Sequence, residues 1–127
     1  MTIEQTEINQ LLQDFHENFL KVFLSQDIDK ILDFHHQDAV LVHFGKVAIY
    51  GREGIRKFYE KLLKEHPEPY KIIPIKNMAT SDGEYLIQEG ILDCIVDGEP
   101  KKFPVVTILK KDKDGKYKYY RDEVKEP

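Results

Sequence analysis

An α+β fold is what this sequence predicts, and three observations carry the prediction. Apolar residues at helical spacing are confined to the first half of the chain, strand-like runs fill the second half, and the turns between those runs are short. Helices followed by an antiparallel meander, with no linker, repeat or low-complexity tract, describe one domain over residues 1–127. A chain of this length can bury roughly two-thirds of its unfolded surface, enough for a core without disulfides.

Ile8, Leu11, Leu12, Phe15, Phe19, Val22 and Phe23 recur at three- and four-residue steps, which predicts an amphipathic helix over about residues 3–25. Asp27 can cap a second, short helix whose buried side carries Ile28, Ile31, Leu32 and His35 and which ends near His36–Gln37. Ala39 to Phe44 is β-branched and aromatic, Gly45-Lys46 supplies a turn, and Val47 to Tyr50 returns as a hairpin partner. Ile55, Phe58, Tyr59, Leu62 and Leu63 then mark a third helix, ended by Pro67 after Glu65 or His66. Strands follow at about 70–80, 85–96, 102–111 and 116–124, separated by Ser81-Asp82-Gly83, Asp97-Gly98 and Asp112-Lys113-Asp114-Gly115.

Nineteen basic and twenty-three acidic residues leave a net charge of -4, and the two signs are interleaved along the chain. That pattern argues against nucleic acid as a partner. The apolar runs fall far short of the ~20 residues a membrane span needs, and no charged-then-apolar leader is visible. Cys94, the one cysteine, has no partner thiol and suits a reducing compartment, so the expected location is cytoplasmic.

His35, His36, Asp38 and His43 are metal-ligand types, but adjacent histidines point in different directions and no H-x-x-x-H or C-x-x-C spacing accompanies them. No metal is expected. Asp112-x-Asp114-Gly115 is read as a hairpin turn, because a calcium-loop register would put Lys110 at the first ligand position and Arg121 where a glutamate belongs. Gly51-Arg52-Glu53-Gly54 starts a helix and lacks the basic surroundings of an RNA clamp. No nucleophile elbow, phosphate loop or dinucleotide fingerprint is present, and no cofactor is expected.

His43 interrupts an apolar strand, and if Leu41 faces the interior, period-two alternation turns His43 inward as well. It is then either a core histidine satisfied by one hydrogen bond or a functional base. Asp122 is the second such residue, since Tyr120, Asp122 and Val124 share a face of the last strand whose apolar members make it the inner one. A buried aspartate needs a partner, and a histidine on the inner wall would supply one, with the pair holding the imidazole in a single tautomer. Exposure of Asp122 beside Arg121 and Glu123 is the alternative.

The stretches Asp27-Ile28-Asp29, Gln37 to His43 and Tyr50-Gly51-Arg52-Glu53-Gly54-Ile55-Arg56-Lys57-Phe58-Tyr59, with the ending Tyr119-Tyr120-Arg121-Asp122-Glu123, resemble the nuclear-transport-factor-like superfamily and, within it, the SnoaL-like, ketosteroid-isomerase-like branch. The resemblance implies a cystatin-like roll: a strongly curved, mixed sheet wrapped as a cone around the first helix, with a pocket open at one end. It also implies a homodimer packed through the sheets. His43 falls where the isomerases of this branch keep their general-base aspartate, Tyr59 on a pocket tyrosine, and Asp122 on the pocket side of the last strand. Phe19 and Thr107 fall on the two acid positions that polarise a substrate carbonyl, so steroid isomerisation of that kind lacks its donors. Tyr120, His35 and Gln88 complete the ligand-binding residues expected on this basis. Two functions follow: proton transfer on a small, mostly apolar substrate through His43 and Asp122, or binding of such a molecule by a non-catalytic dimeric module.

Overall fold

The computed structural model describes residues 3–43 and 45–126. The first long apolar stripe forms α1, Gln5–Ser25, which buries Ile8, Leu12, Phe15, Phe19 and Phe23 on one face. It stops where Gln26 turns into the left-handed region (φ 61°) and its N–H closes on the Phe23 carbonyl. Asp27 caps α2, Ile28–Leu32, by accepting from the Lys30 N–H at 3.3 Å.

α2 is shorter than the sequence suggests. His35 and His36 already belong to β1, His35–His43, because His35 is drawn into pairing with Tyr119 of the last strand. Backbone hydrogen bonds to a neighbouring strand outweigh one more helical turn in a segment too short to hold a helix alone. The expected continuation of this strand through Phe44 lies outside the described residues. β2, Val47–Tyr50, returns antiparallel, and α3, Gly51–Glu65, buries Ile55 and Tyr59. Four strands complete the chain: β3, Lys71–Ala79; β4, Tyr85–Val96; β5, Glu99–Lys111; and β6, Tyr117–Val124.

These six strands form one curled sheet in the order β2-β1-β6-β5-β4-β3. All neighbours are antiparallel except β1 and β6, which run parallel. Register shifts interrupt three of the ladders, between His35 and Val40, between Pro74 and Lys76, and between Ile108 and Leu109. Bulges bend a strand and increase its twist, which lets a sheet of this width wrap instead of lying flat. The helices pack on the inner face, and the core joins α1, α2 and α3 to Leu41, Leu86, Leu109 and Tyr119. Rings dominate its centre: Tyr119 meets Phe15 and Phe19 edge-on, with centroids 4.8 and 5.0 Å apart. Such contacts add about 0.5–1.5 kcal/mol each beyond the area they bury.

Candidate functional site

Sheet register places the polar residues of the interior. Leu41, Asp122, Thr107, Gln88 and Asn77 are successive partners across β1, β6, β5, β4 and β3. Paired residues project to the same face, and Leu41, Thr107 and Gln88 are buried under the helices. The row is therefore an inner one, and four of its five members are polar.

Asp122 is the only ionisable member. One oxygen accepts from the Thr107 hydroxyl at 2.8 Å. Burial pushes its carboxyl up from 3.8 to about 6, against the Thr107 hydrogen bond that favours the charged form, and Glu123 adds to the rise. Asp122 is half-buried, and among the described residues only His16 Nδ1 is both sealed from solvent and without a hydrogen-bond partner. Tyr59, Tyr70 and Tyr119 stand close enough to feel the Asp122 charge, and burial holds all three phenols protonated.

The expected His43–Asp122 pair does not form. His43 Nε2 lies 3.0 Å from Glu126 Oε1, which also takes the Lys46 ammonium at 2.7 Å. Register explains the separation, because His43 lies opposite Val124 while Asp122 lies opposite Leu41. The two residues share a face but stand two positions apart along the strand, about 6.6 Å. His43 sits at the strand's exit and turns to the C-terminal segment.

Tyr120 is also displaced from its expected place. Thr107 faces Asp122 and Leu109 faces Tyr119, so one residue more lies on β6 than on β5 in this interval. The extra residue turns Tyr120 to the outer face, where it packs on His36, Tyr85 and the Lys110 ammonium. Tyr119 takes the inner place instead, 5% exposed.

His35 and Tyr59 are brought together as core residues. The Ile31 carbonyl can only accept, so His35 Nδ1 donates to it at 3.0 Å, leaving Nε2 to accept from the Tyr59 hydroxyl at 3.1 Å. Burial lowers the imidazole to about 4, which keeps it neutral and consistent with these roles. Tyr59 thus spends its donor inside the protein, and neither ring has a hydrogen bond left to offer a ligand carbonyl. Phe19, 3% exposed, fills the space between them and Tyr119.

Gln88 leads to residues that the sequence reading passed over. Its Oε1 lies 2.8 Å from His16 Nε2, and its Nε2 donates to Asn77 Oδ1 at 2.8 Å. His16 and Asn77 line a groove of about 480 Å³ between α1 and β3, together with Leu20, Tyr70, Ile72 and Gln88. Helical spacing held the signal for His16: it follows Leu12 by four positions and precedes Phe19 by three. Asn77 was hidden by the bulge at Ile75, which resets the alternation of β3.

Among the described residues no three His, Cys, Asp or Glu side chains converge as a metal site would need, and no helix is long and apolar enough to cross a membrane.

The architecture recurs in solved structures. A ketosteroid isomerase-like protein from Erwinia carotovora atroseptica SCRI1043 superposes with a TM-score of 0.76 at 14% identity, over 96% of this chain and 97% of its own. A protein of unknown function with a cystatin-like fold from Nostoc punctiforme PCC 73102 gives 0.73 at 13% identity, over 98% and 94%. The epoxide hydrolase/cyclase-like enzyme SalBIII, which has a role in pyran ring formation in the polyether salinomycin, gives 0.62 at 16% identity, over 91% and 90%. At such identities the likeness is one of fold. No curated protein sequence matches this chain. The model of the SnoaL-like domain matches residues 16–120, from His16 on α1 to the bulge in β6, and the chain therefore belongs to the SnoaL-like domain family.

Proposed function

We propose that the interior of the curled sheet receives a small, mostly apolar molecule, and that Asp122 is the group that exchanges a proton with it. The observation that carries this reading is an inward carboxyl near 6 with one oxygen oriented by Thr107. A base works best when its proton affinity lies near the operating pH, and such a group contributes typically ~10²–10⁴-fold. Phe58, Leu62 and Leu63 add half-buried apolar surface packed against the core. The substrate class is a carbonyl or hydroxylated compound whose C–H or O–H proton is moved. His43 has no part in this form of the proposal, because its ring is engaged by Glu126.

The test is exchange of carbonyl-adjacent protons for deuterium in a panel of apolar ketones, followed by NMR. Asp122→Asn should lower any exchange that the wild type catalyses by ~10²–10⁴-fold with the fold intact. Equal rates in the two proteins would remove Asp122 from the chemistry.

A second reading is favoured by a separate observation: space beneath the curled sheet is already filled by Phe15, Phe19, Tyr119 and the His35–Tyr59 pair. On this reading the protein holds a metabolite without turning it over. Its mark is ligand stabilisation without consumption, ~2.7 kcal/mol at 100 times the dissociation constant. Both readings include a homodimer formed through the outer sheet face, where Ile73 and Ile95 are exposed, and sedimentation of an Ile95→Glu variant tests it. Both also place the protein in the cytoplasm, in keeping with the unpartnered thiol of Cys94.

A further inference from the structure

The polar side chains that line the groove between α1 and β3 are almost all bound to one another. Gln13 Nε2 donates to Glu17 Oε1 at 3.0 Å on the rim, and Asn77 Nδ2 donates to Asn9 Oδ1 at 3.0 Å. Deeper in, Gln88 is shared between His16 and Asn77. The remaining ring nitrogen of His16 is sealed from solvent, so nothing in the groove reaches it. Glu17 and Lys71 place one charge of each sign on the exposed rim, which leaves the rim without net charge.

Below the rim, Tyr70 is the exception. It lines the groove, and among the described residues its hydroxyl has no hydrogen-bond partner. Tyr59 and Tyr117, by contrast, donate to His35 and to the Gly83 carbonyl. Tyrosine hydroxyls taken out of bulk water usually find such a partner. The Tyr70 hydroxyl is not sealed in either, since among the described residues only His16 Nδ1 is both sealed and unpartnered. Its ring is held in place, with Phe23 edge-on at 5.5 Å and with Pro67 and Pro69 stiffening the chain that leads to it. Burial pushes the phenol up to about 13, so the hydroxyl keeps its proton and can donate. Leu20 and Ile72 supply half-buried apolar surface in the same groove. Apolar surface in a concave site with a free polar group to fix orientation is how small molecules are commonly held.

We propose that this groove binds a small, neutral ring compound bearing a carbonyl oxygen, and that the Tyr70 hydroxyl donates to that oxygen. The site goes beyond the role of Asp122 and does not rest on it, because binding in the groove involves no proton transfer. A water held by Tyr70 is the competing explanation for the free hydroxyl, and it predicts that loss of the hydroxyl changes the affinity of no ligand.

Acetophenone and α-methylstyrene test the proposal, since they share a shape and differ in a carbonyl oxygen against a methylene. Both are titrated by NMR into the intact wild type and into Tyr70→Phe, which keeps the ring and removes the hydroxyl alone. The variant should bind acetophenone about fivefold more weakly and α-methylstyrene within about twofold of the wild type. Comparing each ligand with itself cancels the difference in hydration between the two. Cross-relaxation from the Leu20 and Ile72 methyl groups should reach both ligands in the wild type, a readout that needs no variant. An equal effect of the substitution on the two ligands, no effect on either, absence of binding, or cross-relaxation from other methyl groups in place of these would each overturn the proposal. Proton exchange at Asp122 is read by deuterium uptake and not by affinity, so either result can fail without the other.

Discussion

Replacing Asp122 with asparagine should change how stability depends on pH, and the structure gives the sign and the size. The folded carboxyl is raised from 3.8 to about 6. Its contribution is therefore fully present below pH 3.8 and is lost as the pH rises through 6. At 1.36 kcal/mol for each tenfold change in proton affinity, the difference works out to about 3 kcal/mol, and the residue's half-exposed edge reduces it to about 2. His35 works in the opposite direction. Burial lowers it from 6.5 to about 4, so its contribution is full above pH 6.5 and is lost as the pH falls through 4. Between pH 4 and 6.5 the two slopes largely cancel, and Asp122→Asn unmasks the histidine. Urea unfolding of both proteins at pH 4, 5, 6 and 7 and fixed ionic strength is the assay. The stability of the variant relative to the wild type should rise by about 2 kcal/mol from pH 4 to pH 7. The carboxylates held low by their partners, such as Asp112, which accepts from the Lys113 N–H and from Lys118, cancel in this comparison. A difference that is the same at pH 4 and pH 7 would show that the carboxyl is not raised by burial, and the case for Asp122 as a proton carrier would fail with it.

Tyr59→Phe should cost about 1–3 kcal/mol in chemical unfolding, because it leaves His35 Nε2 buried without a donor. Gln26→Gly should raise stability by about 0.5–1 kcal/mol, since Gln26 ends α1 at φ 61°, where glycine pays no Cβ penalty. Gly90→Ala should lower the urea midpoint, as a Cβ there would stand 2.9 Å from the Ile73 carbonyl oxygen and would push β3 from β4, at about 1–3 kcal/mol. His43→Ala should change stability by less than about 1 kcal/mol, as expected for an exposed pair with Glu126, and should leave the Asp122 titration in place.

The elements legible in the sequence are those whose signal is local. α1 and α3 follow from apolar stripes that need only one face to be buried, and the β3–β6 meander follows from its turn residues. What was not legible depends on the partner strand. Nothing in the sequence near His35 reveals that Tyr119 will claim it for a strand. Alternation tells which face a residue takes but not how far along the ladder it stands, so His43 and Asp122 share the inner face and still do not meet. The side chain of Tyr120 was assigned to the wrong face because a one-residue bulge leaves no mark in composition. The row that Asp122, Thr107 and Gln88 form across three strands depends on register and is not legible in any one segment, whereas the inward helical position of His16 is.

The three register shifts have a consequence for how such a molecule can change. Those in β3 and β6 each insert a single residue into a ladder while leaving the inner partners on either side facing the same way: Tyr119 and Asp122 remain inward across the shift in β6. Deleting Tyr120 should straighten β6 without turning Asp122 outward, because Arg121 alone would then oppose Ile108. Curvature is thereby adjustable in one-residue steps, independently of which side chains face the cavity. A lineage, or a designer, could tighten or relax the curl of the sheet by gaining or losing one amino acid at a time.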